Sequence, residues 1–287
     1  ISGAGVSGAE LGSQAIHFTP GVVSPGDYAF AIGTAGSVTL VLQTILPALM
    51  QATAPSTVLL EGGTHNPLAP SFEFLDRAFL PLLARIGPKV KLKLDRYGFY
   101  PQGWGKIRVV IEPSPMLIRL DLPERGEVRA IRAAIILAHL PDHVAERELR
   151  VLRRELHIEG SNLRSKHVQG CTANVAQVEV ESDQVTEVFT SFGELGLPAE
   201  EVGRRLASEV KKYLVAKVPV GEHLADQLLL PMSLAGGGSF VTPTPTLHTW
   251  TNIEVIKHFL PVEISVTPLD GRRARIEIRP VPAKNAC

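Results

Sequence analysis

The chain has little cysteine and no long hydrophobic run. Its two cysteines, Cys171 and Cys287, are too few for a zinc site built on cysteine ligands and are typical of a protein kept in a reducing cytoplasm. The apolar stretch 38–49 is interrupted by polar residues and is shorter than the roughly 18 residues that a membrane span needs. No charged segment followed by an apolar one opens the chain, so we expect a cytoplasmic protein with no secretory signal and no membrane partner.

The chain also lacks an excess of either charge. Lys+Arg and Asp+Glu total 29 each, and the formal net charge at pH 7 is +0. Proteins that grip long nucleic acids usually carry a basic excess, so any contact with RNA is expected to be local, for example with one RNA end. A hydrophobic fraction of 45% indicates a folded protein with a substantial core. The first residue is Ile1 rather than methionine, and we expect the natural N-terminus to lie upstream.

Hydrophobic spacing predicts an α/β (or α+β) protein in which strands, loops and helices alternate. The stretch 38–49 favours an amphipathic helix with Ser37 as its N-cap, which Pro47 is expected to kink or end. Region 9–18 favours a strand, and 161–170 favours a polar loop. Further strands are predicted at 29–32, 57–60, 90–94, 107–111, 127–137, 175–180, 185–189, 262–266 and 274–278, and further helices at 72–86, 141–156, 200–216, 224–234 and 252–260.

The composition changes near Pro123 and changes back near Glu222. Between these points the predicted helices 141–156 and 200–216 are strongly charged, and the first is expected to be exposed on most sides, whereas the later helices are apolar. This shift predicts a compact inserted βαββα domain. Residues 1–124 and 218–279 are then the first and last parts of a large domain, 125–217 are the insert, and 280–287 are a disordered tail.

Two loops lie where a helix N-terminus favours an anion. The first, 33–37, consists of small residues ahead of a helix, which lets backbone N–H groups reach a phosphate; a plain strand-to-helix turn is the open alternative. The second, 221–227, places Glu222 at the positive end of a helix. A cap followed by an ordinary amphipathic helix explains that segment equally simply.

A third loop, 243–252, is rich in proline and threonine and contains His248. The helix that follows is predicted to begin at Asn252, with Thr251 as its N-cap. His248 then lies just ahead of the helix, where the dipole favours an incoming phosphate and a neutral imidazole can attack phosphorus. A surface or core histidine without a role is the alternative.

Six stretches, in order and without a large gap from Ile1 to about Pro261, resemble RNA 3'-terminal phosphate cyclases. They are 30–37 running into 40–44, 62–67 (Gly-Gly-Thr-His-Asn-Pro), 98–103 (Gly-Phe-Tyr-Pro-Gln-Gly), 143–148, 221–227, and His248 followed by 251–253. In that family the segment matching 98–101 is normally followed by three glycines, whereas this chain has Gly103-Trp104-Gly105. Trp104 either crowds a tight backbone passage or points outward.

The resemblance implies a large domain of repeated α/β units interrupted by the inserted domain. It implies an enzyme that uses ATP to convert an RNA 3'-terminal phosphate into a 2',3'-cyclic phosphodiester through a covalent histidine–AMP intermediate, with a divalent metal (Mg or Mn) assisting. His248 matches the nucleophile, and the adenine is expected between Pro70 and His223. The expected ATP-contacting positions are Gln43, Pro70, His223, Leu224, Ala225, Asp226 and Gln227. No metal ligand is predicted in this chain, and the family's first repeat, with further site residues, is expected upstream of Ile1.

Two other functions share this architecture. Non-catalytic relatives act as binding or assembly proteins in ribosomal RNA processing, and they lack the nucleophilic histidine pattern. His248 and the run 223–227 favour the enzyme over such a protein. Enolpyruvyl transferases are a more distant alternative, and their motifs are not visible in this sequence.

Overall fold

The computed structural model describes residues 1–281. Its strands are β1 Gly5–Ser7, β2 His17–Thr19, β3 Asp27–Ala31, β4 Ser56–Gly62, β5 Lys89–Arg96, β6 Gly105–Glu112, β7 Leu120–Leu122, β8 Val128–Ala138, β9 Leu163–His167, β10 Ala173–Ser182, β11 Thr186–Phe192, β12 Gly238–Pro243, β13 Val262–Pro268 and β14 Arg273–Pro280. Its helices are α1 Val38–Leu49, α2 Phe72–Phe74, α3 Leu80–Ile86, α4 Asp142–Leu156, α5 Ala199–Ala216, α6 Glu222–Leu234 and α7 Leu247–Phe259, with a π-helical turn, Leu75–Phe79, joining α2 to α3.

Two four-stranded sheets have the same topology. One has the order β3-β4-β6-β5 and the other β7-β12-β14-β13. In each, the first two strands are parallel and the other pairings are antiparallel. Each sheet is therefore a βαβαββ unit, in which α1 corresponds to α6 and the α2–α3 segment corresponds to α7. The expected α/β fold with repeated units is confirmed.

One hydrophobic core joins the helices of both units to both sheets. Its members alternate with mostly half-buried residues along β4 and β6, as expected for sheets covered by helices on one face. The core includes side chains from every one of these helices, for example Leu42 of α1, Leu83 of α3, Leu228 of α6 and Ile253 of α7. No helix within residues 1–281 combines the length and the apolarity needed to cross a membrane.

The insert lies between β7 and α6. Its sheet has the order β11-β10-β8-β9, and α4 and α5 pack on that sheet around a second hydrophobic core. The prediction of a loop over 161–170 was wrong, because β9 pairs in parallel with β8 there. The insert is thus βαβββα rather than βαββα. Its boundaries at 124/125 and 217/218 stay a prediction.

Helix α4 buries one face of its charged sequence. Ala145, Glu148, Val151 and Leu152 lie on that face, and the other sides are exposed or half-buried, so the expected exposure on most sides is confirmed. Helical spacing puts Ala145, Val151 and Leu152 on the same stripe as Glu148, and this acidic residue obscured the apolar stripe in the sequence.

Other local predictions had mixed outcomes. Ser37 caps α1 as expected, its side chain accepting from the backbone N–H of Leu40. Pro47 does not end that helix, which continues to Leu49, because a proline so close to the C-terminus removes one backbone hydrogen bond while buried neighbours hold the last turn. The prediction of a strand over 9–18 was wrong for most of that region, which is loop until β2 begins at His17. Of the predicted tail, Pro280 ends β14, and 282–287 lie outside the described residues.

Trp104 points outward. Its side chain is 61% exposed and its backbone φ is +60°. The tight positions are the glycines around it: a Cβ on Gly103 would approach the backbone oxygen of Thr34 to 2.6 Å, and one on Gly105 would approach that of Gly62 to 2.6 Å. The chain therefore keeps glycine where the backbones touch.

Candidate active site

Helix α7 begins earlier than predicted, and this changes the setting of His248. Thr246 rather than Thr251 is the N-cap, since its side chain accepts from the backbone N–H of Thr249 at 3.2 Å. His248 is therefore in the first turn of the helix and not ahead of it. The side chain is exposed, and the first-turn N–H groups around it still form the positive end of the helix dipole.

Asp226 of α6 connects that turn to the neighbouring helix. The Thr249 hydroxyl donates to Asp226 Oδ1 at 2.6 Å, and Asn252 Nδ2 donates to the Asp226 backbone oxygen at 2.8 Å. Burial raises the pKa of the Asp226 carboxyl above its usual value, although the Thr249 hydrogen bond and the charges of His248 and His223 oppose that rise. His248, Asp226 and His223 are thus close enough to influence one another electrostatically.

The run 223–227 divides into two kinds of position. His223 is exposed in the first turn of α6, and Asp226 and Gln227 are half-buried. Within the described residues, Gln227 Oε1 is buried without a hydrogen-bond partner. Leu224 and Ala225 are almost fully buried in the core, so their side chains hold α6 in place and do not face a ligand.

Gln43 and Pro70 form a second group. The Thr39 hydroxyl donates to the Pro70 backbone oxygen at 2.8 Å, and Gln43 follows Thr39 by one turn on the same face of α1. Gln43 also lies four residues before Pro47, as Gln227 lies four residues before Pro231 in the corresponding helix. The structure therefore packs the turn of α1 before Gln43 against the segment that carries Pro70, and it places His248 and His223 near Asp226.

A cavity of about 550 Å³ opens next to His223. Its walls come from α2, β11, the C-terminal half of α5, the start of α6, and the loops at 243–244 and 271–272; the lining side chains include Phe74, Glu187, Phe189, Tyr213, His223 and Arg272. The insert supplies β11 and α5, which sequence reasoning did not anticipate. The volume lies in the usual range for small-molecule sites.

Glu187 was missed by the sequence analysis, although it carries a signal. It is the second residue of strand β11, directly before Val188 and Phe189, and it is 2% exposed. Its Oε1 accepts the backbone N–H of Gly221, the N-cap of α6, at 2.5 Å. Burial raises the pKa of Glu187 to about 8, although hydrogen bonds from the Gly221 and Val188 backbones act against the rise. This carboxyl is therefore largely neutral at pH 7.

Protein side chains alone do not form a metal site in the part of the chain that the structure describes. No three His, Cys, Asp or Glu side chains among residues 1–281 converge closely enough to hold an ion. Asp226 is a carboxylate close enough to His248 for their charges to interact. This donor set suits a magnesium-like ion held mainly by substrate phosphates and water, with one or two carboxylates.

Comparison with known proteins gives a consistent result. Residues 1–266 match the family described as RNA 3'-terminal phosphate cyclase. A protein of Koribacter versatilis named RNA 3'-terminal phosphate cyclase is 51% identical to this chain, over 93% of this chain and 76% of the relative. A protein of Pseudomonas fluorescens with the same name is 48% identical, over 96% of this chain and 81% of the relative. The protein of that name in Ectopseudomonas mendocina is 46% identical over 97% and 82%.

Proposed function

This chain belongs to the RNA 3'-terminal phosphate cyclase family, and we propose from that premise that it converts an RNA 3'-terminal phosphate into a 2',3'-cyclic phosphodiester at the expense of ATP, with His248 as the nucleophile. A role in RNA processing in the cytoplasm follows as part of the proposal. The observation that most supports this proposal is the position of His248, which is exposed in the first turn of α7 and lies near Asp226.

The reaction has three steps. A ring nitrogen of neutral His248 attacks the α-phosphorus of ATP, forming an N–P bond as the bond to the leaving pyrophosphate breaks. An oxygen of the RNA 3'-phosphate then attacks that phosphorus and displaces the imidazole. Finally the adjacent 2'-hydroxyl loses its proton and attacks the activated 3'-phosphate, which releases AMP. The last step is intramolecular and gains from proximity.

The helix start explains how His248 and the α-phosphate can be held together. The backbone N–H groups of Leu247 and His248 lie in the first turn, where intrahelical acceptors are missing, and they favour a developing negative charge. Thr249 fixes the turn through Asp226. A divalent metal bound to the phosphates would further offset their charge.

The remaining nucleotide contacts are assigned by position. We place the base between Pro70 and His223, and the polar Gln43, Asp226 and Gln227 around the ribose and phosphates. The unpartnered Oε1 of Gln227 within the described residues is an acceptor that a ligand hydroxyl would satisfy.

The proposal is tested by covalent labelling of the natural full-length protein with α-labelled ATP and a divalent metal. One AMP per chain is expected, in a bond that is labile to acid and stable to alkali. His248→Asn should abolish labelling without unfolding the protein, because the side chain is exposed.

His258→Asn is the matched control, since His258 is exposed near the C-terminal end of the same helix. It should label like the wild type. Label that persists in His248→Asn, or that maps to His223 or His65, would show that His248 is not the nucleophile.

A further inference from the structure

Glu187 joins the insert to the start of α6, at the edge of the cavity next to His223. It is the buried carboxyl of strand β11, and its Oε1 receives the N–H of Gly221. A Cβ on Gly221 would approach this oxygen to 2.8 Å, so a larger residue there would require the carboxyl to shift. One oxygen of Glu187 therefore holds the helix start, and the carboxyl as a whole lines the cavity.

The surroundings of Glu187 favour a neutral carboxyl. Among the described residues, no lysine, arginine or histidine forms an ion pair with it; Lys212 and Arg272 line the same cavity without reaching it. A buried carboxyl without a cationic partner takes up a proton rather than keep its charge in a low dielectric. A protonated carboxyl has one O–H donor besides its acceptor oxygen.

The cavity has the shape and chemistry for a planar ring. Phe74, Phe189, Tyr213 and Val215 supply apolar and aromatic surface around the carboxyl, which suits stacking on a base. The donors for the phosphates lie in the first turn of α7 beside His248, which leaves the cavity next to His223 for the base. His223 lines the cavity, and Asp226, further along the same helix, accepts the hydroxyl of Thr249 in the first turn of α7, so α6 links the cavity to the proposed reacting centre.

We propose that Glu187 is a specificity-determining residue, whose neutral carboxyl donates a hydrogen bond to a ring nitrogen of the purine of ATP. The inference rests on the proposed function, since it assigns the base end of the same nucleotide. A purine presents unprotonated ring nitrogens as acceptors, and a carboxylic acid matches one of them while its other oxygen stays on Gly221. Ionised Glu187 would lose the donor and face the acceptor with a negative charge.

Other groups facing the cavity also titrate or carry charge. They are Glu209, Lys212 and Tyr213 on α5, Glu222 and His223 on α6, and Arg272 in the turn between β13 and β14. Their contribution is common to the wild type and to a variant at Glu187. The informative quantity is therefore the difference in pH dependence between proteins that differ only at Glu187.

The test measures ATP binding by calorimetry between pH 7 and pH 9, in full-length protein carrying His248→Asn so that no adduct forms. With native Glu187, the dissociation constant should rise about tenfold across this range, as the hydrogen bond is replaced by repulsion. Glu187→Gln keeps a donor and an acceptor of the same shape at every pH, so its affinity should match the native value at pH 7 and stay nearly constant. Glu187→Leu should bind weakly at both pH values and lose preference for ATP over CTP.

Glu209→Gln is the matched control, because it removes another acid from the same cavity and should keep the native pH dependence. The proposal is overturned if Glu187→Gln follows the native pH curve, or if Glu187→Leu folds and still prefers ATP. The proposed function is tested separately, because Glu187→Leu with native His248 should still label at saturating ATP. Absence of labelling in the wild type would instead contradict the role of His248.

Discussion

The hydroxyl of Thr249 lies 2.6 Å from Oδ1 of Asp226 and donates to it, which locks the first turn of α7 to the first half of α6. His248 precedes Thr249 directly, so the orientation of the proposed nucleophile depends on this bond. Thr249 is fully buried and also receives a contact from the cap residue Thr246. One short hydrogen bond therefore connects the capping of α7 to the run that carries the ATP-contacting residues.

Thr249→Val is expected to slow covalent labelling about tenfold, because it removes a hydrogen bond to a charged acceptor without changing the side-chain shape. Single-turnover labelling with α-labelled ATP measures the effect. Thr251→Val, at an exposed position of the same helix, should label like the wild type. Equal labelling rates for the two variants would mean that the Thr249–Asp226 bond does not orient His248.

Gln43→Ala and Asp226→Ala are expected to weaken the use of ATP by more than tenfold, a larger effect than their effect on folding. Each removes a polar group that we place on the nucleotide, and such bonds to charged groups are worth roughly 1.5–3 kcal/mol. Titration of the labelling rate against ATP, together with thermal melting, separates the two effects. Gln51→Ala, just beyond the end of α1, serves as control, and a loss of stability with an unchanged ATP titration would make both residues structural.

Glu148→Gln is expected to flatten the pH dependence of stability. Glu148 is fully buried, and Asn174 Nδ2 donates to its Oε1 at 2.6 Å. Its Oε2 and Asn174 Oδ1 are buried acceptors without partners among the described residues. A proton on Glu148 Oε2 can join these two oxygens, which completes a cyclic acid–amide pair.

Burial raises the pKa of Glu148 to about 7, against the opposing effects of the Asn174 hydrogen bond and the Arg147 charge. The folded state therefore binds more protons than the unfolded state between about pH 4.5 and 7, and stability falls as pH rises through that window, by at most about 3 kcal/mol. Urea unfolding at pH 5 and pH 8 should show a smaller fall in the free energy of unfolding for Glu148→Gln than for the wild type. The exposed control Glu146→Gln should show the same fall as the wild type. An unchanged fall in Glu148→Gln contradicts the pairing.

Glu73→Gln is expected to destabilise the protein by roughly 1.5–3 kcal/mol, because it removes the charge from a buried, hydrogen-bonded carboxylate. His65 Nε2 and Glu73 Oε2 are 2.6 Å apart, and Gln177 of the insert donates to the same carboxyl at 3.0 Å. Burial alone would raise the pKa of Glu73, but His65 and then Gln177 lower it to about 2. The stabilisation is therefore present above about pH 4.5 and is lost as pH falls towards 2.

The exposed pair of His167 and Asp142, at 2.5 Å, offers a matched control with the same chemistry. Asp142→Asn should cost less than about 1 kcal/mol, because exposed ion pairs contribute little. Chemical unfolding of both variants at pH 7 measures the two losses in the free energy of unfolding. Similar losses for Glu73→Gln and Asp142→Asn would show that burial adds nothing to the first pair.

Hydrophobic spacing predicted most elements because most of them bury one face. α1 and β4 show that spacing clearly, and both were located within a few residues. β9 was missed because it is a polar edge strand with four of its five residues exposed, so no apolar period marks it. The start of α7 was misplaced because Thr246 and Thr251 are both good caps, and only packing decides between them.

The candidate site was predicted more from resemblance than from pattern. His248 is one of nine histidines, and its predicted place ahead of a helix left a surface or core histidine without a role as an open alternative. Asp226 and Thr249 meet although they are 23 positions apart, a contact that depends on how α6 packs on α7. Glu187 gave a weak signal as an acid directly before two apolar residues of a strand, but its partner Gly221 is 34 positions away and belongs to another unit.

The position of the insert also has a consequence for the order of folding. Strand β7 must find β12, and the side chains of Asp121 and Ser239 that meet there are 118 positions apart. Closing so long a loop is entropically costly while the intervening chain is unstructured. Arg125 reaches the backbone oxygens of Tyr213 and Leu214 at 3.3 Å, so a folded insert brings its own two ends together. We therefore expect the insert to acquire structure first and the second sheet to form afterwards across a much shortened gap.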